Sequence, residues 1–278
     1  MSLGGAYISK LDRYELKYII SVELVEPITE YLMRYCSLDY HSQNADNYFY
    51  PVNSLYYDTP NYTFLKNRLY TKNPRFNMRA RAYGYDPKPP YFLEIKYKNA
   101  NSVQKYRCKI NDEEWPNMFT DIEYRTHLQG AQSEMKIKEL FYMTAMKYAA
   151  TPKIFTQYRR RAFVSEVDEY ARVTMDIDMC CYLEENYNLI PDAKRLVPYD
   201  NELVYVKDAD QTKGSCVILE LKCYPHQVPL WMIDMIRQFQ LTRVAFSKYA
   251  QSILTIKEFD IYHNLHFNFN DRKSILYQ

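Results

Sequence analysis

Apolar and polar residues alternate along eight segments of the chain, and this alternation predicts β-strands, whose successive side chains point to opposite faces. The predicted strands are residues 13–20, 52–58, 75–83, 91–98, 103–110, 152–163, 170–178 and 216–224. Short linkers that contain Pro, Gly, Asn or acidic residues separate several of them, so we expect mostly hairpin connections between antiparallel strands.

Apolar residues three and four positions apart predict helices between and after these strands. The predicted helices are residues 22–35, 60–68, 133–150, 229–240 and 246–256. The fold class expected from this order is α+β, with an eight-stranded antiparallel β-barrel and helices packed outside it. Eight strands leave an interior just wide enough for side chains or one ligand. A stretch at 184–213, with a hairpin around 202–207, is expected to be an excursion from this barrel.

Acidic and basic residues lie two positions apart inside the predicted strands, so each strand carries charge on one face and apolar side chains on the other. The pairs are Glu15 and Lys17, Glu94 and Lys96, and Glu220 and Lys222, and the same step joins Arg79 to Arg81 and Asp176 to Asp178. One such pair alone is typical of a solvated strand face. Several together favour a charged interior surface.

Crowded cations in such an interior need an anion. Two like charges about 4 Å apart repel by roughly 4 kcal/mol at the effective dielectric of a protein cleft. A polyanionic ligand would remove this cost. The interleaved carboxylates indicate a divalent cation as well, because Mg and Mn prefer oxygen ligands and bridge phosphates to a few protein carboxylates.

Composition limits the other function classes. The chain has 278 residues, 30 tyrosines, 5 glycines and a formal net charge of only +2. So small an excess of basic residues argues against a protein that coats nucleic acid through its overall field, and no nucleic-acid partner is expected. The basic residues matter through their positions.

Six cysteines form no C-x-x-C pair, and Cys108 and Cys216 lie inside apolar runs. Buried free thiols in a reducing compartment are therefore expected. No apolar run approaches the roughly 18 residues of a membrane span, so a cytoplasmic location without a membrane span is expected.

Eight motifs occur in an order that resembles a known family. They are RYELKY, SLYYDTPNYTFLKNRL, RARAYG, LEIKYK, YRRRAF, RVTMDID, LELK and FSKYAQ. In this order they resemble the catalytic domain of the vacuolar transporter chaperone (VTC) polyphosphate polymerases, which belongs to the triphosphate tunnel metalloenzymes. The resemblance implies one tunnel domain over residues 1–258, followed by a C-terminal tail at 259–278. It also implies a basic tunnel that binds triphosphate or polyphosphate, with Mn or Mg held by acidic residues.

The resemblance implies roles for particular residues. Eight basic residues are expected at the phosphates that react: Lys17, Arg79, Arg81, Lys96, Arg160, Arg172, Lys222 and Lys248. Further substrate contacts are expected from Arg68, Lys105, Arg107 and Tyr158. Glu220 resembles the metal-binding glutamate, and we expect Glu94 and Glu15 to help it.

Two pairs of residues in the same strands are expected to have other roles. Asp176 and Asp178 should pair with arginines rather than bind metal. Arg159 and Arg161 alternate to the face opposite Arg160, so they are not expected to be ligands.

This chain departs from the family pattern at two positions. Arg13 stands where the wider superfamily has the first glutamate of an E-x-E-x-K strand, which weakens the case for a metal site centred on Glu15. Ala245 stands before the FSK motif, where a basic residue is expected.

Three functions fit these observations. The first is a polyphosphate polymerase that takes the terminal phosphoryl group of ATP, and the second is a tripolyphosphate or nucleoside-triphosphate phosphohydrolase. The third is a non-catalytic module that binds polyphosphate or RNA through basic and aromatic side chains. A carboxylate such as Glu220 among the cations argues against the third. The expected partners are ATP and polyphosphate or triphosphate, and the oligomeric state is not predicted.

Overall fold

A computed structural model of the chain describes residues 7–9, 13–99, 102–111, 114–121, 123, 130–200 and 216–256. The fold is α+β, built on a large antiparallel sheet. Within these residues the strands are β1 (Tyr7–Ser9), β2 (Tyr14–Ser21), β3 (Cys36–Leu38), β4 (Tyr50–Asp58), β5 (Arg75–Tyr83), β6 (Tyr91–Asn99), β7 (Ser102–Ile110), β8 (Thr151–Ser165), β9 (Ala171–Leu183), β10 (Val197–Pro198) and β11 (Cys216–Cys223). The helices are α1 (Val25–Leu32), α2 (Tyr40–Gln43), α3 (Thr63–Leu69), α4 (Asn117–Thr120), α5 (Gln132–Tyr148), α6 (Leu230–Gln238) and α7 (Lys248–Ile256).

The predicted elements agree closely with these bounds. The strand predicted at 75–83 is β5 residue for residue, and the other seven predicted strands correspond to β2, β4, β6, β7, β8, β9 and β11. Two short strands, β3 and β10, were not predicted, nor was β1. The predicted hairpin at 202–207 and the predicted tail at 259–278 lie outside the described residues.

The helix predicted from Pro60 begins three residues later, at Thr63. Tyr62 precedes the helix with φ 54°, in the left-handed region, and so cannot continue a right-handed turn. The buried carboxylate of Asp58 accepts hydrogen bonds from the amides of Phe64 and Leu65, both at 2.9 Å. It thereby satisfies amides that have no partner within the first turn of the helix.

The chain divides into two compact units. Unit 1 comprises Met1–Leu11, Val52–Thr156 and Cys181–Leu196, and unit 2 comprises Asp12–Pro51, Gln157–Cys180 and Val197–Gln278. The predicted domain organisation, one tunnel domain and a tail, stays a prediction.

Unit 1 is a sheet with one apolar and one charged face. Its strands pair in the order β1-β7-β6-β5-β4. The apolar face carries Leu55, Met78, Leu93 and Cys108, and it packs against helix α5 through residues such as Phe141. Because alternate residues point the other way, Arg79, Glu94 and the other charged residues of these strands share the opposite face.

Unit 2 repeats this division. Its strands pair in the order β8-β9-β11-β2, and Val173, Leu219 and Tyr18 on one face pack against α1 and α6 through residues such as Ile28 and Met232. Lys17, Glu220 and Asp176 therefore lie on the other face. In unit 1 helix α5, and in unit 2 helices α1 and α6, cover the apolar face, whereas α7 begins at the charged face of unit 2 with Lys248.

The strand pairings of the described residues do not close the sheet into a ring, so the predicted closed barrel is not confirmed. The strand count also differs: eleven strands lie in the described ranges, where eight were predicted. The three additional strands are two or three residues long, too short for an alternating pattern to be recognised in the sequence.

All six cysteines are free and five of them are buried, as predicted. Burial raises the pKa of the Cys108 and Cys216 thiols to about 12, so both stay protonated at neutral pH. None of the helices in the described ranges is long and apolar enough to span a bilayer.

Candidate functional site

The charged face of unit 1 is organised around Glu94, whose residue is only 2% exposed. Register places Glu94 on β6 opposite Arg79 on β5 and Arg107 on β7. The closest cation is Arg79, which donates from Nε at 2.7 Å and has a terminal nitrogen at 2.6 Å from Oε2. Lys105 Nζ lies 2.8 Å from Oε1, with Arg107 Nε at 3.6 Å and Arg81 at 3.9 Å. Four cations thus lie within 4 Å of one carboxylate.

This crowding changes the titration of the groups in the cluster. Burial alone would raise the pKa of Glu94, but Arg81, Lys105, Arg79 and Arg107 together lower it well below its ordinary value. Burial, assisted by the three neighbouring guanidinium groups, lowers the pKa of Lys105 to about 7 although Glu94 opposes the shift. The cluster is therefore rich in positive charge, and Lys105 is poised to lose its proton near neutral pH.

Aromatic side chains support these arginines, and the sequence analysis missed them. Arg79 donates to the hydroxyl of Tyr56 at 3.0 Å, and Arg107 donates to the hydroxyl of Tyr83 at 3.3 Å. The guanidinium of Arg107 also lies 4.0 Å from the ring centroid of Phe92. The signal that could have identified Tyr56 is the register of β4 and β5, because Tyr56 pairs directly with Arg79 across these strands.

Two further predicted residues lie in unit 1. Lys96 on β6 is opposite Lys105 and Asn77, so it extends the same charged face. Arg68 lies on α3 rather than on a strand. Burial, assisted by the charge of Arg75, lowers the pKa of Arg68 to about 10.

The charged face of unit 2 has a second buried centre at Asp176, a fully buried residue on β9. Arg160 binds both of its carboxylate oxygens, at 2.7 and 2.8 Å, and Lys248 from the start of α7 forms an ion pair with it. Burial alone would raise the pKa of Asp176, but Arg160 and Lys248 lower it to about 2. Tyr158 packs beside both cations, with the Lys248 Nζ 4.5 Å from its ring centroid.

Glu220 on β11 is the centre of the next part of this face. Register places it between Lys17 on β2 and Thr174 on β9. Its ion pairs measure 3.9 Å to Lys17 and 3.1 Å to Lys222. Lys17 also donates to the Phe246 carbonyl oxygen at 3.1 Å.

The next row of cross-strand neighbours on this face, two residues along each strand from the row of Glu220, is centred on Lys222. Lys222 lies opposite Glu15 on β2 and the exposed Arg172 on β9. Glu15 pairs with Arg13 at 3.3 Å. The structure therefore brings Lys17, Glu220, Lys222, Arg172 and Glu15 onto one surface.

Arg159 and Arg161, which are not expected to be ligands, pair with other side chains, and their exclusion as ligands stays a prediction. Arg161 donates to Glu26, Thr29 and the Asn47 carbonyl oxygen, away from Arg160 and its partner Asp176. Arg159 pairs with Asp178.

The carboxylates can be tested for their fit to a divalent metal. Across the described ranges, no three His, Cys, Asp or Glu side chains come together as a ligand set. Mg and Mn are usually held by one or two carboxylates together with substrate phosphates. Glu220 fits the role of the single protein carboxylate in such a site. Glu94 fits the role of a metal ligand less well, because four cations already balance its charge. Glu15 also fits it less well, because it is paired with Arg13.

Chemically, both faces suit phosphate groups. Planar guanidinium groups bind phosphate oxygens in pairs, and lysines add point charges. The assigned roles of the individual residues stay predictions, but, apart from Arg68 on α3, each unit collects its own predicted cations on one side of its sheet.

Comparison with solved structures finds remote similarities. A candidate adenylate cyclase from Bacillus halodurans has 9% identity and a TM-score of 0.48, with 86% of this chain and 95% of that chain covered. A candidate adenylyl cyclase from Hippeastrum, described as having a dominant triphosphatase activity, has 12% identity and a TM-score of 0.47, with 87% and 95% covered. Similarities this remote do not establish a function for this chain. Comparison with curated protein sequences finds no match.

The family comparison is more informative. The sequence profile of the VTC domain matches residues 12–257, which is most of the chain. The match confirms the resemblance carried by the eight motifs, and it supports an enzyme with a polyphosphate- or triphosphate-related function. The chain belongs to the VTC domain family.

Proposed function

We propose that this protein is a polyphosphate polymerase that transfers the terminal phosphoryl group of ATP to the end of a growing polyphosphate chain. The observation that carries the proposal is the surplus of positive charge around Glu94, where four cations lie within 4 Å of one buried carboxylate. A row of phosphates would balance this surplus. A non-catalytic module that only binds anions would gain nothing from the Glu220 carboxylate among its cations, so we assign that carboxylate to a metal.

In the proposed reaction a terminal oxygen of the acceptor chain attacks the γ-phosphorus of ATP. A new P–O bond forms to the acceptor, the bond between the γ-phosphorus and the β,γ-bridging oxygen breaks, and ADP leaves with that electron pair. Such transfers depend on positioning and on neutralising charge rather than on covalent help from the protein.

The proposal gives each basic residue a binding task. Lys17, Arg160, Arg172, Lys222 and Lys248 in unit 2, and Arg79, Arg81 and Lys96 in unit 1, would bind and orient phosphate oxygens. Lys105, Arg107, Arg68 and Tyr158 would add substrate contacts. Glu220 would hold Mn or Mg, which supplies additional neutralisation of phosphate charge when it is bound.

The test is to incubate the protein with ATP and Mn²⁺ and to resolve the products by gel electrophoresis and by phosphate release. Polyphosphate chains support the proposal. Free phosphate without chains would show a phosphohydrolase, and binding of polyphosphate without turnover would show a non-catalytic module.

Two variants and one control variant sharpen this assay. Arg79→Gln should lower turnover, whereas Lys136→Gln, which removes the same charge from an exposed position on α5, should not. Glu220→Gln should raise the Mn²⁺ concentration needed for half-maximal rate. Unchanged Mn²⁺ dependence in Glu220→Gln would contradict the metal assignment.

A further inference from the structure

Two tyrosine rings lie at one end of the charged face of unit 2, in a place that no phosphate-binding role explains. Tyr170 and Tyr224 have ring centroids 5.0 Å apart with an interplanar angle of 32°. Both side chains are partly exposed. Arg13 donates to the hydroxyl of Tyr170 at 3.1 Å, so the first ring is held in place.

Register fixes the distance of this ring pair from the cations. Tyr170 directly precedes Ala171 and Tyr224 directly follows Cys223, and Ala171 and Cys223 are paired across β9 and β11. The next cross-strand pair on the face of the tyrosines is Lys222 with Arg172. Two residues of strand span about 6.6 Å, so the rings lie about one such step from that row and about 13 Å from the row of Glu220. An elongated ligand could contact all three rows.

Tyr170 and Tyr224 keep part of their side-chain surface exposed. Within the described residues, no guanidinium or ammonium group is stacked over either ring, in contrast to Phe92 of unit 1, which Arg107 covers at 4.0 Å. The paired residues on β2, β11 and β9 form a continuous surface from the rings to the lysines.

An aromatic pair next to cations indicates a ligand with two chemically different ends. A phosphate chain has no planar face to stack on a tyrosine ring, and the Tyr170 hydroxyl already accepts a hydrogen bond from Arg13. A nucleobase stacks on such rings, and its phosphates can then reach the adjacent lysine and arginine.

We propose that Tyr170 and Tyr224 form a base-stacking platform that binds the nucleobase of a nucleoside triphosphate, with the phosphates directed toward Arg172 and Lys222. Arg13 is a positioning residue that fixes the Tyr170 ring. This inference rests on the proposed function and deepens it, because it separates a nucleotide donor from inorganic triphosphate. It also gives a role to Arg13, which donates to the Tyr170 hydroxyl.

The experiment compares equilibrium binding of two probes, a non-hydrolysable ATP analogue and inorganic tripolyphosphate, to the full chain. Tyr170→Ala and Tyr224→Ala should each raise the dissociation constant of the ATP analogue about ten-fold, the effect expected for one lost stacking contact. The dissociation constant of tripolyphosphate should not change. Tyr14→Ala is the matched control, because Tyr14 is 48% exposed and points to the opposite face of β2.

A conservative variant separates stacking from structural support. Tyr170→Phe keeps the ring and loses the hydrogen bond to Arg13, so it should bind the ATP analogue much better than Tyr170→Ala. Equal losses for both probes in the alanine variants, or no loss for either, would overturn the platform while leaving the proposed function intact. If the wild-type chain bound neither probe, both the platform and the proposed function would fail.

Discussion

Removing the charge of Glu94 is the most informative single perturbation of the basic cluster in unit 1. Its carboxylate is buried and lies within 4 Å of Arg79, Arg81, Lys105 and Arg107. Removing one partner of a buried ion pair typically costs about 3–5 kcal/mol, because the remaining charge loses its compensation. We expect Glu94→Gln to lower the free energy of unfolding by about that amount.

Such a loss is measurable against the total stability of a folded protein, which is usually about 5–15 kcal/mol. The assay is urea unfolding at neutral pH. Glu139→Gln, which removes the same charge from an exposed position on α5, should leave the midpoint unchanged.

The second readout is rescue by ligand. Tripolyphosphate supplies the negative charge that Glu94→Gln lacks, and a ligand that binds only the folded state stabilises it by an amount that grows with the logarithm of its concentration divided by its dissociation constant. Tripolyphosphate should therefore stabilise Glu94→Gln more than it stabilises the wild type. If Glu94 acted instead as a metal ligand, the variant would lose its response to Mn²⁺ and show no additional stabilisation by tripolyphosphate.

A variant as stable as the wild type, with the same response to tripolyphosphate, would refute the reasoning. It would mean that the cations of unit 1 need no central anion. A variant too unstable to purify can be tested by refolding with and without tripolyphosphate, where only the sample with ligand should recover folded protein.

Three further predictions follow from the other buried charges. Because the pKa of Lys105 is about 7, its charge is lost as pH rises through that value, so the dissociation constant of polyphosphate should increase over this range in the wild type but not in Lys105→Arg. The pKa of Asp176 is lowered from 3.8 to about 2 in the folded protein. The ionised carboxylate therefore contributes about 2 kcal/mol to the free energy of unfolding at pH values above the unfolded pKa, and this contribution is lost as pH falls through the folded pKa. Acid unfolding of Asp176→Asn should lack this pH-dependent loss. Lys138→Met, which leaves the 3% exposed carboxylate of Glu114 without its 2.7 Å partner, should cost about 3–5 kcal/mol in urea unfolding, and adding Glu114→Leu should recover much of that loss.

The sequence alone was sufficient to locate the strands in which apolar and polar residues alternate regularly. Alternation located β5 residue for residue and placed Arg79, Glu94 and Lys96 on one face, because a strand with one apolar face has only one favourable orientation. The same reasoning separated Arg160 from its neighbours Arg159 and Arg161.

Other features depend on contacts between distant segments. The pairing of Glu94 with Lys105, and of Asp176 with Lys248, follows from cross-strand register and from the position of α7, which no local pattern records. The late start of α3 depends on the left-handed conformation of Tyr62, a residue type that rarely adopts it. Tyr170 and Tyr224 are the end residues of two predicted strands, but their contact depends on the register between β9 and β11, which no local pattern records.

The central claim is that phosphate groups bind to the charged faces of the sheet. A crystal structure of the protein with tripolyphosphate and Mn²⁺ tests it most directly. Phosphate density is expected in contact with residues such as Arg79 and Lys105 of unit 1 or Arg172 and Lys222 of unit 2, with Mn²⁺ at Glu220. Density confined to other surfaces, with both charged faces left to water, would contradict it.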